Sequence, residues 1–134
     1  MAKINKINHI GIVVPDIEGA LGFWQDALGL KLDHIEDVQG QKSLVAFLPL
    51  SESEIELVRP TSNDSGVAKF LREHGPGIHH ICFEVDDIME MLSDLKSKGI
   101  RLINETPLEM EGRKMAFIHP KSAGGVLVEL YQLT

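Results

Sequence analysis

The sequence predicts an α+β fold built from two tandem modules, each a strand, a helix and three further strands. Three observations carry that expectation. The first is a repeat: "NHIGIVVPDI" at residues 8–17 and "HHICFEVDDI" at residues 79–88 each set a histidine at the mouth of an apolar run. An acidic residue follows in each, and then a helical pattern opens. The second is the recurrence, after each helix, of runs rich in Ile, Val, Leu and Phe that suit half-buried strands. The third is size, since 134 residues make one domain or two very small modules that must share a core.

Aligning His9 with His80 lets each element be taken in turn. "HIGIVV" and "HICFEV" read as strands. "PDI" and "DDI" then start helices: Asp16 and Asp87 are natural N-caps, and Asp87 with Glu90 has capping-box spacing. Ile17, Ala20, Leu21, Trp24 and Leu28 fall at helical spacing in the first half, as do Ile88, Met91, Leu92 and Leu95 in the second. Gly29 and Gly99 are the expected stops. A strand resumes in "LKLDHIE" from Leu30 and in "IRLINE" from Ile100. "SLVAFLPL" with "EIELVRP", and "KMAFIHP" with "VLVELYQL", complete the two halves. Module one spans about residues 4–59, a connector with a short helix around "GVAKFLREHG" spans 60–77, and module two spans about 78–133, all within one domain, 1–134. A four-stranded module with one helix leaves one sheet face bare. Two such modules are expected to cover those faces by curling toward each other, with a cleft between them.

Composition narrows the partners. A formal charge of −7 argues against nucleic acid or an anionic membrane, although local cations and a metal can still attract an anionic small molecule. The apolar runs fall short of the roughly 20 residues of a membrane span. "MAKINKIN" has no apolar segment of the kind a signal peptide carries. A single cysteine, Cys82, fits the reducing cytoplasm, where we expect the protein to reside.

The repeat extends to acidic residues. Glu56 in "EIELV" follows His9 by 47 residues, and Glu129 in "LVELY" follows His80 by 49. Strand alternation puts His9 on one face with Gly11, against Ile10, Ile12 and Val14 on the other. It likewise puts His80 with Cys82, against Ile81, Phe83 and Val85, and Glu129 with Leu127 and Tyr131. A carboxylate on an apolar surface is costly to bury unless something positive neutralises it. A divalent ion does this for both carboxylates at once. Two imidazoles and two carboxylates suit Co, Mn, Ni, Zn or Fe, and a six-coordinate ion would keep two neighbouring places for substrate. His34, His74, His79 and His119 lack this correspondence and are read as structural or solvent-exposed.

These strings, with "HPKSAGGVLVEL" and "GIHHICFEVDDI", resemble the vicinal-oxygen-chelate, or glyoxalase-like, superfamily, and within it the methylmalonyl-CoA epimerases. The resemblance spans essentially the whole chain. It implies two βαβββ modules forming a cupped mixed sheet around a metal site, usually in a homodimer. It places the ligands at His9, Glu56, His80 (rather than His79) and Glu129, with glutamine in some members at the position of Glu56. The implied reaction interconverts (R)- and (S)-methylmalonyl-CoA, an acyl-CoA substrate, through a metal-stabilised enolate. Glu129 is the expected catalytic base on one face. One branch of the family carries a second glutamate where this chain has Val45, which moves no proton. Metal-bound water or Glu111 are the substitutes the sequence offers.

The loop "HPKSAGG" admits two readings: a substrate-binding loop in which Lys121, Ser122, Gly124 and Gly125 approach an anion, or a Gly-rich turn with a solvated lysine. Arg113 and Lys114 are candidates for CoA phosphates. Alternatives to the epimerase are a glyoxalase I-type lactoylglutathione lyase and a dioxygenase, the latter disfavoured because Glu56 occupies a position oxygen chemistry needs open. A non-catalytic small-molecule binder is disfavoured by retention of all four ligands.

Overall fold

Ile4, Ile7, Ile10, Ile12 and Val13 are β-branched residues that favour extended backbone, and strand β1 spans Ile4–Val13. The computed structural model describes residues 2–134. The chain divides into two compact units: His9–His79, and the chain up to Asn8 together with His80–Thr134.

In the first unit, Asp16 caps α1 (Ile17–Leu21) by accepting the Gly19 N–H at 2.9 Å. The expected helix continues to Ala27 but widens into a π-type turn over Gly22–Ala27, marked by the Leu28 N–H reaching the Phe23 carbonyl at 2.9 Å. Gly19 and Gly22 weaken the α-helix here, and the wider turn brings Trp24 to the core. Gly29 ends it at φ +93°, a conformation that favours glycine. Strand β2 is His34–Val38, shorter than expected. Leu30 and Leu32 pack into the core instead, and the Leu32 N–H is held by the Gln25 side chain at 3.0 Å. Strands β3 (Ser43–Leu50) and β4 (Ser53–Pro60) follow. β2, β3 and β4 are antiparallel neighbours, and β4 runs parallel to β1. Ile12, Val14, Ile17, Ala46, Leu48 and Leu57 form the core beneath α1. Leu48 and Leu57 are fully buried, each contributing about 1.5–3 kcal/mol of transfer free energy. Helix α2 (Gly66–His74), capped by Ser65, occupies the connector as expected and lies against β4.

β5 (Gly77–Val85), which belongs to the second unit from His80 on, leads to α3 (Ile88–Ser97), capped by Asp87 on the Glu90 N–H at 3.1 Å. Gly99 follows at φ +78°. The strand expected at "IRLINE" is absent. Leu102 makes one isolated bridge to Ile118, and the Asn104 side chain takes the Phe117 N–H at 3.0 Å, replacing the carbonyl that a ladder would need. The edge strand is instead β6 (Leu108–Met110), paired with β7 (Arg113–Ile118). β7 pairs with β8 (Leu127–Leu133), which runs parallel to β5. Val85, Ile88, Leu92, Ala116, Ile118 and Leu130 form this unit's core. The start of β1 joins the same unit: the Lys3 N–H donates to the Asp86 carboxylate at 2.8 Å, and the Asp86 N–H returns to the Lys3 carbonyl at 3.2 Å.

Candidate functional site

Each unit carries one histidine–glutamate pair, produced by the same strand geometry. In the first, the parallel pairing of β1 and β4 sets Gly11 opposite Glu56, and the antiparallel pairing of β3 and β4 sets Phe47 on its other side. His9, two residues before Gly11, shares that face. Its Nδ1 lies 3.4 Å from a Glu56 carboxylate oxygen. In the second, the parallel pairing of β5 and β8 sets Cys82 opposite Glu129, with Phe117 on the other side. His80, two residues before Cys82, brings Nε2 to 3.8 Å from the Glu129 carboxylate. The two halves thus share residue types, strand order and register.

The 3.4 Å separation of the first pair suits shared coordination better than direct bonding, and the 3.8 Å of the second is wider than either. A charge-assisted N–H···O bond is about 2.7–2.9 Å long, whereas two ligand atoms about 2.1 Å from one ion stand roughly 3.0–3.4 Å apart. Burial argues the same way. His9 and Glu129 are almost fully buried, and a buried carboxylate calls for a cation or several hydrogen bonds. Imidazole and carboxylate donors fit a borderline divalent metal. His79 is one residue off in alternation, and the core-facing prediction for Ile10, Ile12 and Val14 also holds.

The substrate-loop residues sit in a 3₁₀ turn, Pro120–Ser122, followed by Gly124 at φ +66° and Gly125 at φ +96°. His119 caps this turn by accepting the Lys121 N–H at 3.0 Å. Burial, with help from Arg101 and Lys121, holds the His119 pKa below its ordinary value, so a neutral imidazole suits this acceptor role. The Ser122 hydroxyl accepts the Arg101 N–H at 2.9 Å, and the Gly125 N–H donates to the Pro120 carbonyl at 2.9 Å. The Gly125 N–H is therefore committed to loop structure, while the Ser122 hydroxyl keeps its own O–H to donate. Lys121 is exposed.

Arg113 shares the face of Phe117 and Glu129, its guanidinium carbon 4.9 Å from the centre of the Tyr131 ring. Its Nε is buried and has no hydrogen-bond partner among the described residues. Lys114 faces the opposite way, paired with Gln132. Glu111 tips the β6–β7 turn, about 20 Å along the strand from Phe117 at roughly 3.3 Å per residue. Val45 is buried opposite Val58.

Sequence reasoning set aside a further cluster. His34 on β2 stacks on Phe47 with ring centres 4.5 Å apart, and its Nδ1 lies 2.6 Å from the Asp33 carboxylate. The hydrogen bond to Asp33 is the main reason its pKa stands above the ordinary value, with Glu36 adding a smaller push. The string "DHIE", a histidine between two acidic residues on a strand, was the available signal.

A profile described as the Glyoxalase/Bleomycin resistance protein/Dioxygenase superfamily matches residues 8–117. The chain belongs to this superfamily. Among its relatives in the superfamily, the human protein named "Methylmalonyl-CoA epimerase, mitochondrial" is 40% identical over 132 residues, covering 97% of this chain and 75% of its own length. The "Ethylmalonyl-CoA/methylmalonyl-CoA epimerase" of Cereibacter sphaeroides is 37% identical over 133 residues, covering 97% of this chain and 99% of its own. The crystal structure of methylmalonyl-CoA epimerase from Mycobacterium tuberculosis superposes with a TM-score of 0.85 at 38% identity, over 98% of this chain and 89% of that one. The glyoxalase-like α+β fold expected from the sequence is the fold of this chain.

Proposed function

We propose that this protein is a methylmalonyl-CoA epimerase in which His9, Glu56, His80 and Glu129 together hold one divalent ion. The observation that carries the reading is the duplicated pair: in each half an imidazole and a carboxylate meet at the same register, with Glu56 opposite Gly11 and Glu129 opposite Cys82. Full-length similarity to named epimerases supports the substrate.

When bound, the ion supplies positive charge for the enolate-like oxygens that develop as the α-proton leaves. The rest falls to the chain's own groups. The proton lies between a thioester carbonyl and a carboxylate and is acidic enough for a carboxylate base. Glu129 takes that role from a buried position beside His80. Arg113, held over the Tyr131 ring with Nε unmatched, is the cation we assign to the anionic tail of the acyl-CoA, ahead of Lys114 on the opposite face. Within the substrate-binding set, Lys121, the Ser122 O–H and the Gly124 N–H are the donors left for an anion, since the Gly125 N–H already serves the loop.

We further infer a homodimer, by analogy with the family. No helix among the described residues is long and apolar enough to cross a membrane. The single cysteine, Cys82, is buried, which accords with a cytoplasmic location. The decisive test follows the α-proton of methylmalonyl-CoA by NMR in deuterated water, with metal-loaded protein. Deuterium incorporation with inversion is expected, and Glu129→Ala should abolish it. No exchange above background would remove the epimerase reading.

A further inference from the structure

Epimerisation needs a proton carrier on each side of a planar carbon, and Glu129 serves one side only. The other carrier should stand on the same sheet face as the ligands without being one. Register identifies the residues on that face of the first unit. One row across the sheet is His34, Phe47, Glu56 and Gly11; the next is Glu36, Val45, Val58 and Val13. Directly opposed residues point to the same side, so both rows lie on the Glu56 face. Val13, Val45 and Val58 are buried aliphatic groups and carry no proton. Apart from the ligands, His34, Glu36 and Glu54 are the titratable residues on this face.

His34 is distinguished from the two carboxylates by its setting. Phe47, stacked at 4.5 Å and 12° between planes, fixes the plane of the imidazole and separates it from Glu56. At two strand spacings, His34 stands about 10 Å from Glu56, close enough for a chelated substrate to fill the gap. The Asp33 carboxylate, 2.6 Å from Nδ1, can only accept, so Nδ1 carries a proton, and Nε2, 3.7 Å from a Glu36 carboxylate oxygen, is the nitrogen that gains or loses one. That is the arrangement of a base oriented by a carboxylate. The ring is half exposed, which lets its proton exchange with water between turnovers.

We propose that His34, positioned by Asp33 and Phe47, is the second proton carrier of the epimerase; this rests on the function proposed above. In one direction the Glu129 carboxylate removes the α-proton, the C–H electron pair delocalises into the thioester and carboxylate oxygens, and the His34 imidazolium returns a proton to the other side. In the reverse direction neutral His34 removes the proton and the Glu129 carboxylic acid returns one. Each group then recovers its starting state by exchange with solvent. The charged groups facing the ring are Asp33 and Glu36, both on its own side, while β3 presents Phe47.

The test compares wild type with His34→Gln and Asp33→Asn, in deuterated water, starting from each enantiomer of methylmalonyl-CoA. His34→Gln is expected to lose inversion by about 100-fold or more, the usual contribution of a general acid–base group. It should keep deuterium exchange without inversion in the one enantiomer whose proton faces Glu129, and keep the wild-type metal content. In the metal-free protein, NMR titration of the His34 ring should give a midpoint above the ordinary histidine value, lowered in Asp33→Asn. Inversion within threefold of wild type in His34→Gln overturns the proposal, as does loss of bound metal from that variant. Glu36→Gln or Glu54→Gln losing inversion while His34→Gln keeps it overturns it in favour of a carboxylate. A wild type that inverts neither enantiomer overturns the epimerase reading itself.

Discussion

In the first half the imidazole of His9 is 3% exposed and the carboxylate of Glu56 is 15% exposed; in the second half the order inverts, with His80 at 14% and Glu129 at 5%. The backbone registers are equivalent, but the residues facing the two carboxylates differ. Opposite Glu56 stands Gly11, which covers nothing, whereas opposite Glu129 stands Cys82, whose side chain is fully buried. Duplication fixed where the donors lie, while the burial of each donor differs between the halves.

That contrast can be broken most directly by removing charge from each carboxylate in turn. Glu129→Gln should lower the epimerisation rate by about 10²–10⁴-fold, the range for loss of a general base, measured by coupled or NMR assay. Glu56→Gln should cost less than about tenfold, because an amide oxygen still ligates and Glu56 moves no proton. Equal losses would mean that the two carboxylates share one role. The histidines sharpen the contrast next. His80→Ala should weaken metal affinity by more than the ~100-fold lost when a group behind a ligand is removed, while His79→Ala stays near wild type in metal titration. Comparable losses from both would place the ligand one residue out of register.

Much of this was readable in the chain. The caps Asp16 and Asp87, the stops Gly29 and Gly99, and the spacing from histidine to glutamate all survive in the structure because each acts locally or through strand alternation. What the sequence hid depends on tertiary competition. Leu30 and Leu32 look like strand residues, but the core beneath α1 claims them. "IRLINE" has strand composition, yet Asn104 substitutes its side chain for a ladder carbonyl and the strand ends before it begins. His34 lacks a counterpart in the repeat, and only the pairing of β2 with β3 brings it into the row of Glu56.

Smaller effects test whether the two halves are matched in stability as well as in plan. Leu57→Ala and Leu130→Ala each empty a fully buried site, one per unit, and should each cost about 2–5 kcal/mol in denaturant unfolding. A large disparity would show that one half carries most of the stability. Smallest is Cys82→Ala, expected to cost about 1 kcal/mol for the sulfur removed, read in the same unfolding measurement.

The central claim is that the two couples grip a single ion. Metal analysis of purified wild type, His9→Ala and His80→Ala tests it most directly. The expected result is one divalent ion per wild-type chain and less than about a tenth of that in either variant, since neither couple holds the ion alone. Two ions per chain, or full metal content after loss of either histidine, would contradict it.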